Sequence, residues 1–277
     1  MSAEVVVLAV HGMGETKTSF ADGLERELIK QLGVDWTKIH FDRVFYQDIL
    51  QKNQTALFKR VQAKAPLDSI RLRQFLLYGF SDAAGLERNA SAPNSPYELA
   101  QKRILERLDF AFDFIGSAKP VIVIAQSLGG QVMSNYLWDA QRPKTARRGV
   151  WKNASPGGVV RNSAKDKFRR LKSMRFLYTT GCNIPIFVAG FPEASIKAVA
   201  TASKGYSFSW ENYYDEDDAL GWPLKNLSKS YGKAVHKDYA INAGSIFSSW
   251  NPLSHLAYWE DRDVVDPLVR DIRKLLP

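Results

Sequence analysis

Cysteine is nearly absent: one residue, Cys182, in 277. A lone thiol excludes an intramolecular disulfide and offers no sulfur cluster for a metal. Histidine is scarce too, at four residues, and these are too scattered for a recognisable zinc motif. No apolar run approaches the roughly 20 residues needed to cross a bilayer. Neither G-x-G-x-x-G nor a Walker sequence follows a candidate strand, which argues against a nucleotide. No cofactor and no metal are therefore expected. Aromatic residues are plentiful, but no stretch reads as a nucleic-acid module, and no nucleic-acid partner is expected. Repeats and low-complexity tracts are lacking. The opening Met1-Ser2-Ala3-Glu4 has no basic region and runs straight into Val5-Val6-Val7-Leu8-Ala9-Val10. That apolar run meets His-Gly rather than a small-residue cleavage site. It reads as a first core strand and not as a signal peptide, so a cytoplasmic location is expected.

The length suits one large α/β domain over 1–277 with a substantial core. Positive charge is concentrated. Between Arg142 and Arg175 twelve Lys or Arg stand against one acid, Asp166, a local charge of +11 within a chain of +9. Residues 142–173 thus read as a basic insertion, expected to be solvated. The sharper alternative is that 142–175 rests on an anionic membrane or another polyanion.

Strand signals recur at Val5–Val10, 39–46, 121–126, 174–181, 206–214 and 237–242, separated by helical patterns. This alternation predicts a doubly wound, mostly parallel sheet. The stretch 47–118 exceeds what a simple crossover needs, and is read as a helical elaboration inserted before the strand at 121. Within it Leu57, Phe58 and Val61 mark one helix, and Ile70, Phe75, Leu76, Leu77 and Phe80 another. A third starts at Ser95-Pro96-Tyr97-Glu98, a capping box with Pro at its first helical position. Thr16, Thr18 and Ser19 are candidate caps for the first helix, which Gly33 ends.

The most informative stretch is Val121-Ile122-Val123-Ile124-Ala125-Gln126-Ser127-Leu128-Gly129-Gly130. Four β-branched residues predict a strand buried on both faces, and a helical pattern follows the Ser at once. Strand, sharp turn carrying Ser, helix is the context that gives a nucleophile elbow its meaning. The alternative is an ordinary turn with Ser127 as a helix cap. The elbow resembles that of the α/β-hydrolase superfamily, in particular its bacterial lipase- and esterase-like serine hydrolases. Ala125 stands where G-x-S-x-G has its first Gly.

That resemblance implies a Ser-His-Asp triad, with partners following the Ser in the order acid, then base. His11 precedes the elbow, and His40 and His236 fall in or beside strands. His255, late and before the closing helix, is where the family has its base. The acid is expected after the strand ending near Tyr214, where Asp215, Glu216, Asp217 and Asp218 cluster. Asp218, followed by Ala219-Leu220, fits best, with Asp217 second and Asp215 third. For the oxyanion hole the resemblance implies the backbone N–H groups of Leu128 and of Met13, the latter in His11-Gly12-Met13-Gly14. The expected activity is cleavage of a small-molecule carboxylic ester through an acyl-enzyme. Thioesterase, phospholipase and acyltransferase chemistry would use the same triad. A non-catalytic hydrolase-like binding protein is the rival of another class.

Overall fold

The first and third strands are rich in β-branched residues, buried on both faces, and lie side by side inside a parallel sheet. The structure is a computed structural model that describes residues 3–14, 16–87, 90–142, 148–199, 208–243 and 258–277. Strand β1 (Val5–Val10) leads through helix α1 (Asp22–Leu32) to β2 (Ile39–Val44). Three helices follow in succession: α2 (Asp48–Gln62), α3 (Ile70–Glu87) and α4 (Pro96–Ile115). Then come β3 (Val121–Gln126), α5 (Leu128–Gln141), α6 (Ala164–Arg169) and β4 (Met174–Thr180). The chain continues through α7 (Ile184–Val188), β5 (Ser209–Asp215), α8 (Lys229–Ala234), β6 (Lys237–Ile241) and α9 (Arg262–Leu275). The six strands pair in the order β2-β1-β3-β4-β5-β6, all parallel.

Both faces are covered, as a parallel sheet requires. Side-chain alternation sends Val6, Leu8, Val10, Val121 and Val123 into one core with α4 and α5. It sends Val5, Val7, Ala9, Ile122 and Ile124 into a second core with α1 and α9. Burial of such side chains contributes about 1.5–3 kcal/mol each, the main force holding the layers. At the sheet edge, β2 is only half-buried, which fits its mixed composition.

Several local expectations change. The first helix starts at Asp22 after Ala21, with no side-chain cap from Thr16, Thr18 or Ser19. On α3 the buried residues are Tyr78, Gly79, Asp82 and Leu86, whereas Leu76 and Phe80 are 41% and 61% exposed. Its inward face carries Asp82, whose carboxylate accepts from Gln54 of the neighbouring helix. By contrast α4 begins as its sequence predicts: Ser95 Oγ accepts from the Glu98 N–H at 3.3 Å, and Gly116 closes the helix in the left-handed region.

Within the basic segment Arg169 and Arg170 are buried and paired, while Lys152, Arg161 and Lys167 are exposed. The Arg169 guanidinium forms a two-pronged pair with Asp109 of α4 and donates to Pro156 O at 2.7 Å. Arg170 pairs with Asp166, donates to Ala140 O and Ala154 O, and stacks on Trp151. Lys165 meets Asp113 at 2.6 Å, and Lys152 meets Glu98 at 2.9 Å. Three of the segment's cations, Lys152, Lys165 and Arg169, thus pair with acids on α4 and join structure to structure. No helix among the described residues is long and apolar enough to cross a membrane.

Candidate active site

Strand order places the candidate residues. The chain runs outward from β1 to β2, then returns to place β3 on the other side of β1. Ligands of open α/β sheets bind at such a switch point, beyond the carboxyl ends of the strands. The register aligns Val10 with Ala125, so His11-Gly12 lies beside Gln126-Ser127. It aligns Gln126 with Thr180, and the Ser127 N–H donates to Thr180 O at 2.8 Å. The residues after β1, β3, β4 and β5 thus share one edge.

Ser127 has φ +53° and ψ −124°, a conformation rare for a residue with a side chain. Such strain costs about 1–3 kcal/mol and persists only where its surroundings impose it. Ser127 does not cap α5; its Oγ is buried and has no hydrogen-bond partner among the described residues. The ordinary cap reading therefore fails on geometry. Close packing explains the neighbouring glycines. A Cβ on Gly129 would lie 2.5 Å from His11 O and 2.8 Å from Val10 O, and one on Gly12 would lie 2.7 Å from Ser127 Cβ. Ala125 is accommodated because its methyl points into the α4/α5 core.

His11 is a structural residue. Gly12 O can only accept, so Nδ1 donates to it at 2.7 Å, and Nε2 accepts from the Tyr46 N–H at 3.0 Å. The ring stacks on Tyr46 with centroids 4.0 Å apart. Burial lowers its pKa to about 4, against a smaller opposing effect of the Gly12 bond. It is neutral at physiological pH.

The loop is held from above by a residue that sequence reasoning missed. Asp82 of α3, fully buried, accepts from the Gly14 N–H at 3.0 Å and from the amides of Gln47 and Gln54 at 3.4 and 2.5 Å. Desolvation raises its pKa, and these three bonds pull it back in part. Met13 sits between Gly12 and pinned Gly14, with its thioether packed where Gly79 leaves room. The Leu128 N–H opens α5, where helix geometry leaves it without an intrahelical acceptor.

After β5 the acids separate by burial. Glu216 and Asp217 are exposed, while Asp215 and Asp218 are 5% and 6% exposed. Asp215 is occupied with the chain itself, accepting from the Asp217 and Ala243 N–H groups at 2.8 and 2.7 Å. Asp218 accepts from the Leu220 N–H at 3.0 Å and from the Tyr258 hydroxyl at 2.9 Å. Tyr258, also missed by sequence reasoning, accepts in turn from the Asp215 N–H. His255 lies outside the described residues.

No protein-family model matches the chain, and no curated protein is significantly similar to it.

Two cavities adjoin this edge. A cleft of about 250 Å³ is bordered by His11, Gly12, Met13, Gln126, Ser127 and Trp259, among others. Beside it runs an apolar groove between α3 and α7, lined by Phe75, Leu76, Phe80, Ile186 and Phe187 with Leu220. Met13 is common to both. Burial pushes the Cys182 thiol up to about 12, so it stays protonated and offers no competing nucleophile. Among the described residues no group of three or more His, Cys, Asp or Glu could hold a metal ion.

Proposed function

We propose that the protein is a serine hydrolase of the α/β-hydrolase type that cleaves carboxylic esters. The observation that carries this reading is Ser127: a strained residue whose hydroxyl has no partner among the described residues, between a buried parallel strand and a helix, at the switch point of the sheet. Such strain with no structural return is a mark of function. Ser127 Oγ attacks the ester carbonyl while His255 takes its proton and later returns it to the leaving alcohol. Asp218 orients His255 and stabilises the imidazolium. The N–H groups of Met13 and Leu128 receive the developing oxyanion, an electrostatic term often worth several kcal/mol. Water then repeats the attack on the acyl-enzyme.

Three features support the roles. Asp218 is buried, whereas Asp217 is exposed. Its carboxylate is bonded by Tyr258, three positions beyond His255 in the chain. Gly12 brings the His-Gly loop against Ser127 as an oxyanion donor must be. The test is labelling with a fluorophosphonate, followed by mass spectrometry of the modified peptide. Labelling at Ser127 that is abolished in Ser127→Ala, with ester turnover falling at least roughly 10³-fold, is expected. A folded protein whose Ser127 never reacts would mean a binding protein built on a hydrolase-like sheet.

A further inference from the structure

Helix α3 is apolar on two sides. Its inward side buries Tyr78 and Leu86, as the single apolar stripe of a surface helix ordinarily does. A second stripe, Leu72, Leu76 and Phe80, repeats at four-residue steps, and all three side chains are exposed. Exposed Ile186 of α7 lies beside Leu76 and Phe80, and on α2 Leu57 and Val61 are exposed one turn apart. The same hairpin carries charge of one sign. Between residues 51 and 80 six Lys or Arg stand against one acid, Asp68, a local charge of +5. Lys52, Lys59, Arg60, Lys64, Arg71 and Arg73 are all exposed, and none forms an ion pair among the described residues. Arg73 Nε donates to Asp68 O at 2.8 Å, a bond to a carbonyl that leaves the charge unneutralised.

Exposed apolar side chains and unneutralised cations together define the occupant. A second copy fits badly, because a two-fold contact would set one +5 surface against another. A nucleic acid would meet the cations and leave the aliphatic stripe in water. An anionic bilayer meets both, with phosphate headgroups for the cations and the headgroup–acyl boundary for Leu and Phe. We infer that the α2–α3 hairpin docks the protein on an anionic lipid surface. On the other side of α3, Gly79 packs against Met13 and Asp82 holds Gly14. A single helix thus separates the docked surface from the loop beside Ser127. The inference stands apart from the hydrolase reading, because binding is measured without turnover.

The test is sedimentation of the full chain with vesicles of phosphatidylcholine alone and of an equimolar phosphatidylcholine–phosphatidylglycerol mixture. The anionic vesicles should bind at least roughly tenfold more tightly. Arg71→Gln/Arg73→Gln should weaken that binding roughly tenfold or more, and Leu72→Ser/Phe80→Ser by a similar factor, each with its fold checked by a melting curve. Arg161→Gln/Lys167→Gln, in the other basic segment, should stay within about twofold of the wild type. Equal binding to the two kinds of vesicle, or binding to neither, overturns the inference. So do folded hairpin variants that bind like the wild type, as they would if only 142–175 touched the lipid. Weakening by the charge variant alone would mark a general polyanion site and likewise overturns it. Should a double variant fail to fold, its two single substitutions are measured in its place.

Discussion

Acid should loosen this protein through His11, and the size of the effect follows from its surroundings. The ring is buried among Phe20, Phe45 and Tyr46, and its Nε2 is an acceptor for the Tyr46 N–H. Protonation would put a charge in this apolar setting and turn that acceptor into a second donor facing a donor. The folded pKa is about 4 against 6.5 unfolded. The unfolded chain therefore binds the proton first, and stability falls as pH drops through 6.5 and levels off below 4. Between pH 7 and pH 5 this linkage removes about 2 kcal/mol, and the full loss is about 3 kcal/mol. For a chain of this size the first step lowers Tm by roughly 4–8 °C. The assay is urea or thermal unfolding at pH 7, 6 and 5 for the wild type and His11→Gln. The Gln oxygen can still accept from Tyr46 but cannot titrate. Buried carboxyls such as Asp82 titrate in both proteins and cancel in the difference. His11→Gln should start lower at pH 7 and lose about 2 kcal/mol less on the way to pH 5. Equal slopes for the two proteins would refute the assignment.

Other expectations follow from the same contacts. Gly129→Ala forces a methyl against the carbonyls of Val10 and His11, which cannot swing away; urea unfolding should show a loss of about 2–3 kcal/mol. Asp218→Asn should lower kcat by roughly 10⁴-fold at unchanged fold, while exposed Asp217→Asn stays within about twofold. The reverse pattern in steady-state kinetics would move the acid to Asp217. Arg169→Met leaves partly exposed Asp109 with Lys165 alone and Pro156 O without its Arg169 donor, so calorimetry should register about 1–3 kcal/mol of destabilisation. Exposed Arg161→Gln should change stability by less than about 0.5 kcal/mol.

What could be read ahead of the structure was what short-range chemistry dictates. Four β-branched residues before Ser127 announce a buried strand because no other common element tolerates that run so well. Ser95-Pro96 and Glu98 announce α4 because capping involves only neighbours. The acidic run after β5 could not be ranked by composition with the same security, since burial depends on Tyr258, 40 positions away from Asp218. The same holds for part of the basic segment: Arg169 reaches across 60 residues to Asp109, a pairing that the string itself does not announce. Asp82 carried no signal at all. It lies in an apolar-looking helix, and only three dimensions show it saturated with donors.

The Asp82–Gly14 contact has a consequence for anyone who would remodel the molecule. It ties the α2–α3 hairpin to the turn beyond β1 through one carboxylate. Transplanting a different hairpin to alter selectivity would strip that turn of its anchor unless the graft brings its own acceptor for the Gly14 amide. Here the roof and the floor of the chamber cannot be engineered independently.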